Sequence, residues 1–241
     1  MAHKLQTTHN EPLTLVEHLE ELRKRIIICL LSIFICAVVC YFYSDKILML
    51  LSTSIDKFVF LKPTEAFVAR IKVSFYSGLF VSMPVVIYQI WKFVYPGLLE
   101  IERRVLYWIV PFSYLLFVFG VIFAFFVVLP IGIKFLLNYG TENIQPMISI
   151  GSYISFVTIF LLAFGIIFQL PLVILLLTKL GIVSPKWLIT NRKYAILIIF
   201  ILAAMLTPGP DIFSQFLMAI PTLLLYEISI FLSKLVTPKK M

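Results

Sequence analysis

Residues 15–31 read "LVEHLEELRKRIIICLL", so that a charged segment runs directly into an uncharged hydrophobic one. The basic residues at its centre are typical of the cytoplasmic edge of a membrane span, because Lys and Arg hold that end inside. Acidic residues contribute little to membrane orientation. The three glutamates of this segment, Glu17, Glu20 and Glu21, therefore need another explanation.

The composition of the whole chain is that of a membrane protein. Of its 241 residues, 61% are hydrophobic and 13% are charged, whereas roughly a quarter are charged in ordinary soluble domains. The formal net charge of +8 does not indicate a nucleic-acid partner, because the basic residues are scattered between apolar runs instead of forming one stripe. We expect them to set the membrane orientation and to contact anionic lipid.

Hydrophobic runs separated by charged or turn-forming segments predict six membrane-spanning helices, each of which needs about 20 apolar residues. The predicted spans are about 26–43, 70–92, 105–130, 153–178, 194–207 and 212–233. They divide the chain into a cytoplasmic N-terminal tail with an amphipathic helix start (1–25), a transmembrane domain (26–234) and a cytoplasmic C-terminal tail (235–241).

The orientation follows from the positions of Lys and Arg. With the N-terminus inside, fourteen of these residues fall in cytoplasmic segments and six in outer segments. Both termini are therefore predicted to be cytoplasmic.

Two of the predicted spans are short. The fifth has 14 uncharged residues, which cover roughly 21 Å against about 30 Å of hydrocarbon. The sixth has 15 apolar residues before Glu227, so we expect its apolar part to be short as well. Short neighbouring spans indicate a locally thinned bilayer or a partner that covers the mismatch, and the alternative is that neighbouring helices tilt.

Prolines inside the spans predict a bent bundle with a concave side, because each one removes a backbone hydrogen-bond donor. These prolines are Pro84, Pro111, Pro130, Pro171 and Pro221.

The glutamates near the membrane have two possible roles. Glu20 and Glu21 can pair with Lys24 and Arg25 at i,i+4 spacing, which would make them a self-paired helix surface. Glu102, in "KFVYPGLLEIERR" (92–104), has no cation at its helical neighbour positions, so its carboxylate is available to an incoming one. A guanidinium would bind it through charge-assisted hydrogen bonds. Glu21 and Glu102 together predict a cytoplasmic acidic site for a basic ligand.

Three further polar residues are candidates for a role. Gln169 either satisfies the carbonyl of Ile167, which Pro171 leaves without its helical donor, or offers a polar contact to a partner helix. Glu227 lies in the sixth span, where it either reaches the cytoplasmic interface or stays buried and paired, and an acid inside a span is a functional candidate. Asp211 is predicted to cap the sixth helix.

The sequence contains no pattern that indicates catalysis or metal binding. The cysteines all lie in the first hydrophobic run and are expected to act as small hydrophobic residues: Cys29, Cys36 and Cys40. The histidines all lie in the N-terminal segment: His3, His9 and His18. A nucleophile elbow and a Walker A glycine loop are both absent from the sequence. We therefore expect neither an enzyme nor a cofactor.

Five segments of the chain carry a family resemblance. In chain order they are "EHLEELRKR", "PTEAF", "MPVVIYQIWKFVYPGLLEIERR", "FGIIFQLPLVILLL" and "LTPGPDIFSQFLMAIPTLLLYEISI". Together they resemble the twin-arginine protein translocase TatC family from end to end of the chain. The resemblance implies a six-helix, cup-shaped receptor in the bacterial cytoplasmic (inner) membrane, which binds the signal peptides of folded precursor proteins. It also implies that transport is driven by the proton-motive force.

The resemblance assigns roles to residues of the predicted cytoplasmic site. It implies that Glu21 and Glu102 face the arginine pair of the signal peptide, with Phe93 and Arg23 close by.

The resemblance also implies partner contacts within the membrane. Met205 and Thr207 of the fifth helix, together with Gln169, would face single-span partners of the TatB and TatA type. The family usually has Glu or Gln at the position of Gln169. Other copies of the same chain are a further expected partner.

Two other functions fit a six-span protein. A secondary transporter or proton channel would need ionisable residues that converge at mid-bilayer, and only Glu227 qualifies, close to one end of its span. A membrane scaffold would differ from a receptor in having no affinity for signal peptides.

Overall fold

The computed structural model describes residues 15–51, 62–94, 100–137, 148–207 and 212–236, without the side chains of Leu15, residues 100–108 and Leu136. Its elements are α1 (Leu15–Tyr41), α2 (Ser44–Leu51), α3 (Glu65–Val94), α4 (Glu100–Phe123), a π-helical turn (Ala124–Val128), α5 (Leu129–Leu137), α6 (Ile150–Ile167), α7 (Leu170–Lys179), α8 (Pro185–Thr190), α9 (Arg192–Leu206) and α10 (Ile212–Val236). The prediction of an all-α membrane protein is confirmed.

Five helical segments in the described part of the chain are long and apolar enough to cross a membrane: Val16–Tyr41, Glu65–Val94, Ile109–Phe135, Ile150–Lys179 and Ile212–Val236. They overlap five of the six predicted spans. The remaining span is α9, whose 15 residues cover about 22 Å. The short fifth helix is therefore confirmed.

The expectation of a short sixth helix is wrong, because α10 has 25 residues. The carboxylate of Glu227 does not end this helix. It is paired with the guanidinium of Arg192 at the start of α9, and a paired charge is compatible with a helix that continues to Val236.

Two of the prolines coincide with interruptions of a helix. Before Pro130 the chain forms the π-helical turn, in which the N–H of Leu129 donates to the carbonyl of Ala124. Before Pro171 the regular α-helix is interrupted between α6 and α7: Phe168 and Gln169 keep right-handed helical dihedrals, but the N–H of Gln169 donates to the carbonyl of Ile166, three residues back. Helices α3, α4 and α10 continue through the other prolines.

Helix α1 packs along α3 at very short distance and exposes most of its remaining surface. A Cβ atom on Gly78 of α3 would lie 2.4 Å from the Cα atom of Ala37, so the absence of a side chain allows the two backbones to approach. Helices α1 and α3 are antiparallel, because Arg25 early in α1 contacts Gln89 late in α3, whereas Ala37 late in α1 lies beside Gly78 near the middle of α3.

Helix α6 lies at the centre of the hydrophobic core. Phe160 and Phe164 of this helix are completely buried, and α3, α4 and α9 pack around it. Helix α10 packs against α7, α8 and α9.

The acidic residue of the "PTEAF" segment holds the N-terminus of α6 at the predicted outer end. The carboxylate of Glu65 accepts hydrogen bonds from the hydroxyl of Ser149 and, at 3.1 Å, from the backbone N–H of Gly151. A carboxylate is stabilising there, because the first N–H groups of a helix have no intrahelical partner.

Candidate functional site

Five side chains of α1 and α3 meet at the predicted cytoplasmic end of the protein. They form the α1–α3 cluster: His18, Glu21, Arg25, Gln89 and Phe93. Residues three and four apart share one face of a helix, which explains why 18, 21 and 25 align on α1 and why 89 and 93 align on α3. Because the two helices pack antiparallel, these two faces meet.

Arg25 is the centre of the cluster. Its guanidinium donates to the Oε1 atom of Glu21 and, at 3.2 Å, to the Oε1 atom of Gln89. The Arg25 side chain is 11% exposed, and its Nε atom is buried without a hydrogen-bond partner among the described residues. Arg25 therefore links the two helices and fixes the orientation of the Glu21 carboxylate.

The second oxygen of Glu21 faces an aromatic stack. The Nδ1 atom of His18 lies 4.0 Å from the Oε2 atom of Glu21, and the Glu21 side chain is 26% exposed. The imidazole of His18 is stacked on the ring of Phe93, with 4.4 Å between the ring centroids and 21° between the planes. A partly accessible carboxylate is thus held beside the face of an aromatic ring.

Both predicted i,i+4 pairs are present on α1, but they lie in different environments. Glu20 pairs with Lys24 at 3.0 Å on the surface, where the two side chains are 60% and 70% exposed. The pair of Glu21 with Arg25 is largely buried against α3. The self-paired interpretation therefore accounts for Glu20, whereas Glu21 belongs to a contact between helices.

The structure places Arg23 on the exposed surface of α1, and its implied role beside the signal peptide stays a prediction. Arg23 takes no part in the hydrogen bonds, the ion pairs and the ring stack that define the α1–α3 cluster. Residues two positions apart point roughly 200° away from each other around a helix, so Glu21 and Arg23 cannot share a face. Phe93, by contrast, is brought to Glu21 through His18.

Two members of the cluster were not singled out by the sequence pattern: His18 and Gln89. The pattern predicted that Arg25 pairs with Glu21, but not that it also reaches Gln89. His18 was grouped with the histidines of the tail, although α1 already begins at Leu15. A usable signal was the spacing of four between Gln89 and Phe93, which places a polar and an aromatic side chain on one helix face.

Two predicted site residues lie wholly or partly outside the described part of the chain. Glu102 is the third residue of α4, which starts at the end of the molecule where α3 ends, but its side chain lies outside the described part of the chain. Asp211 lies outside the described residues altogether. Their roles stay predictions.

The amide of Gln169 does not turn back to the carbonyl of Ile167, as one of the two interpretations had it. Its Oε1 atom accepts a hydrogen bond from the hydroxyl of Ser113, and its Nε2 atom donates to the backbone carbonyl of Ser113 at 3.0 Å. The reason is the neighbouring helix: α4 packs beside the break before Pro171 and offers both a donor and an acceptor.

Of the two candidate partner contacts on the fifth helix, one is on the surface. Met205 is 76% exposed, whereas Thr207 is 7% exposed. The N–H of Thr207 donates to the carbonyl of Ala203 and ends the helix. A surface contact through Thr207 is therefore not available in this conformation.

Glu227 lies at the surface as a paired residue. Its Oε2 atom is 2.7 Å from a guanidinium nitrogen of Arg192, and the two side chains are 51% and 44% exposed. Of the two interpretations, pairing near an interface fits better than burial.

The described residues contain no group of three or more His, Cys, Asp or Glu side chains that could hold a metal ion.

The sequence model of the family described as "Sec-independent protein translocase protein (TatC)" matches residues 17–221. The chain belongs to the TatC family. Its members are membrane-embedded translocase components and not enzymes, so the chain is a multi-pass protein of the bacterial inner membrane that takes part in protein transport.

Individual TatC relatives are similar over nearly their full lengths. The Sec-independent protein translocase protein TatC of Carboxydothermus hydrogenoformans is 47% identical over 235 residues, which cover 96% of this chain and 97% of the relative. The protein of the same description from Aquifex aeolicus is 42% identical over 94% of this chain and 97% of the relative. A crystal structure described as twin arginine translocase receptor TatC superposes with a TM-score of 0.84 at 40% identity, covering 91% of this chain and 99% of the other.

Proposed function

We propose that this chain is the receptor subunit of a twin-arginine translocation system. It binds the twin-arginine signal peptides of folded precursor proteins at its cytoplasmic face, and it helps to move those proteins across the membrane at the expense of the proton-motive force. The proposal is supported by membership of the TatC family and by the geometry of the α1–α3 cluster.

The observation that carries the proposal is that the Glu21 carboxylate and the Phe93 ring both lie against the imidazole of His18. Arg25 orients the Glu21 carboxylate but occupies only its Oε1 atom, so that Oε2 remains for a second cation. A guanidinium is planar, binds carboxylates through directed hydrogen bonds and stacks on aromatic faces, whereas an ammonium is a strongly hydrated point charge. A carboxylate next to an aromatic face therefore favours arginine over lysine.

Glu102 completes the proposed site. Its backbone belongs to the first turn of α4, at the end of the molecule where Phe93 lies. Two carboxylates at this end, from α1 and α4, would match two adjacent arginines.

The proposed partners within the membrane are single-span proteins of the TatB and TatA type, further copies of this chain, and lipid. Two surfaces support this. Helix α9 is shorter than the hydrocarbon region and carries the exposed Met205. Helix α1 packs against α3 and leaves large apolar residues uncovered, among them Phe34 and Ile35.

The binding of a twin-arginine signal peptide to the detergent-purified protein tests the proposal. We expect a peptide with Arg-Arg to bind at least tenfold more tightly than the same peptide with Lys-Lys, and Glu21→Gln and Glu102→Gln each to weaken Arg-Arg binding. Glu20→Gln is the matched control, because Glu20 is an exposed acid on the same helix whose pair with Lys24 lies outside the cluster. Equal binding of both peptides would contradict the proposal.

A measurement of proton flux separates the receptor from a secondary transporter. We expect the purified protein alone in liposomes to conduct no protons, because Glu227, the acid of its sixth span, is paired at the surface with Arg192. Sustained flux would favour the transporter.

A further inference from the structure

We propose that His18 occupies the arginine site of the receptor in the absence of a signal peptide, and that one arginine of the peptide must displace it. This inference rests on the proposed function and adds a residue that sets the affinity of the site. In this proposal the imidazole of His18 occupies the position that the guanidinium of the ligand takes, and so competes with it.

The first argument is that one imidazole covers both surfaces that an arginine would use. It lies against the ring of Phe93, with 4.4 Å between the centroids. The Nδ1 atom of the same imidazole lies 4.0 Å from the Oε2 atom of Glu21, the carboxylate oxygen to which Arg25 does not donate. A guanidinium stacked on Phe93 and paired with this oxygen would overlap the imidazole.

The second argument is that the imidazole is weakly held. A separation of 4.0 Å between Nδ1 and Oε2 is too long for a hydrogen bond, so the imidazole is held mainly by its stack on Phe93. The His18 side chain is 41% exposed. Exposed side chains change rotamer within nanoseconds, so the ring can leave without disturbing the helices.

The third argument is that the rest of the cluster does not depend on His18. Arg25 links Glu21 to Gln89 by hydrogen bonds in which His18 takes no part. When the imidazole leaves, the carboxylate therefore keeps its orientation, and the face of Phe93 becomes available to the arginine.

The displacement can be followed directly by NMR, because the chain contains only three histidines and His18→Gln identifies the signal of interest. A ring stacked on Phe93 experiences its ring current, and Phe93→Leu provides the position of the unstacked signal. Unmodified protein labelled at histidine is titrated with the Arg-Arg peptide, with the Lys-Lys peptide and with methylguanidinium alone. We expect the Arg-Arg peptide to move the His18 signal to the unstacked position, and the Lys-Lys peptide to move it much less.

The affinity of His18→Gln gives the second readout. Without a competing aromatic ring, it is expected to bind the Arg-Arg peptide about three- to tenfold more tightly than the unmodified protein, on the scale of one stacking contact. A purely structural role for His18 would instead weaken binding.

The possible failures are distinguishable. If the Arg-Arg peptide binds while the His18 signal stays in place, or if His18→Gln binds more weakly, the displacement proposal is wrong and the receptor function stands. If the unmodified protein does not distinguish Arg-Arg from Lys-Lys, the proposed function fails and the displacement proposal fails with it.

Discussion

Gln169 holds Ser113 with both ends of its amide, because it accepts a hydrogen bond from the Ser113 hydroxyl and donates one to the Ser113 carbonyl. Gln169 lies in the break between α6 and α7, where the helix is interrupted before Pro171. The interruption is thus anchored to α4, and the amide that was a candidate for a contact with a partner helix is already engaged within the chain.

Replacement of Gln169 by Leu is expected to lower the stability of the protein by about 0.6–2 kcal/mol, the range for hydrogen bonds between membrane helices. Ser113→Ala removes only the hydroxyl bond and should have a smaller effect. Thermal unfolding in detergent compares the two variants. A Gln169→Leu variant as stable as the unmodified protein would show that the contact with Ser113 is not structural.

Replacement of Arg25 by Lys is expected to lower stability by about 1–3 kcal/mol, although the charge is kept. A single ammonium cannot reproduce the fork that reaches both Glu21 and Gln89, so the oxygen of Gln89 loses its donor in a buried place. Binding of the Arg-Arg peptide should weaken as well, because Glu21 is no longer held. Lys24→Met is the matched control, since Lys24 is 70% exposed. We expect Arg25→Lys to lower stability and peptide binding more than Lys24→Met does, and equal effects of the two substitutions would contradict the role of Arg25.

Replacement of Gly78 by Ala should separate α1 from α3 and lower stability by about 1–3 kcal/mol, as overpacking does. The new Cβ atom would meet backbone atoms of Ala37 at 2.4 Å, which cannot move aside as a side chain can. Gly132→Ala is the control, because the nearest atom there is a Leu217 methyl group at 3.1 Å. Thermal unfolding measures both, and equal melting temperatures would contradict the close crossing.

The ion pair between Arg192 and Glu227 is expected to contribute little to stability. Both side chains are about half exposed, and exposed pairs contribute roughly 0–1 kcal/mol. A double-mutant cycle with Arg192→Gln and Glu227→Gln, followed by thermal unfolding, measures the coupling. A coupling energy well above 1 kcal/mol would mean that the pair is buried in the working complex, against a partner or in the membrane.

Extension of α9 by one turn is expected to weaken the co-purification of single-span partners. The 15 residues of this helix are short for a bilayer, and the proposed partners cover the mismatch. The same four residues inserted after Val236 serve as the control, because they lengthen the chain beyond α10 without changing a helix of the bundle. Unchanged recovery of partners with the extended α9 would count against recruitment by a short helix.

The helices of this protein could be predicted from the sequence because the bilayer imposes a strong and local rule. Each helix must satisfy its own backbone and carry enough apolar residues to cross, and both conditions are visible in a linear pattern. The short α9 followed from the same rule. The full length of α10 did not, because the half-exposed charge of Glu227 does not end the helix, which continues to Val236.

The candidate site could be predicted only in part. Glu21 and Phe93 were expected near each other on the strength of a family resemblance, and the pairing of Glu21 with Arg25 followed from helical spacing. That His18 connects them, and that Arg25 reaches Gln89, depends on how α1 lies against α3.

The sequence by itself determined the membrane location, the helical class and the family, because these depend on composition, local periodicity and contiguous motifs. The tertiary structure decided which polar groups meet: Arg25 with Gln89, Gln169 with Ser113, and Glu65 with the start of α6. The partners in each pair are more than 50 residues apart in the chain. Their contact depends on how the helices cross, as they do at Gly78. Close packing between helices determines these crossings, and no local sequence pattern encodes them.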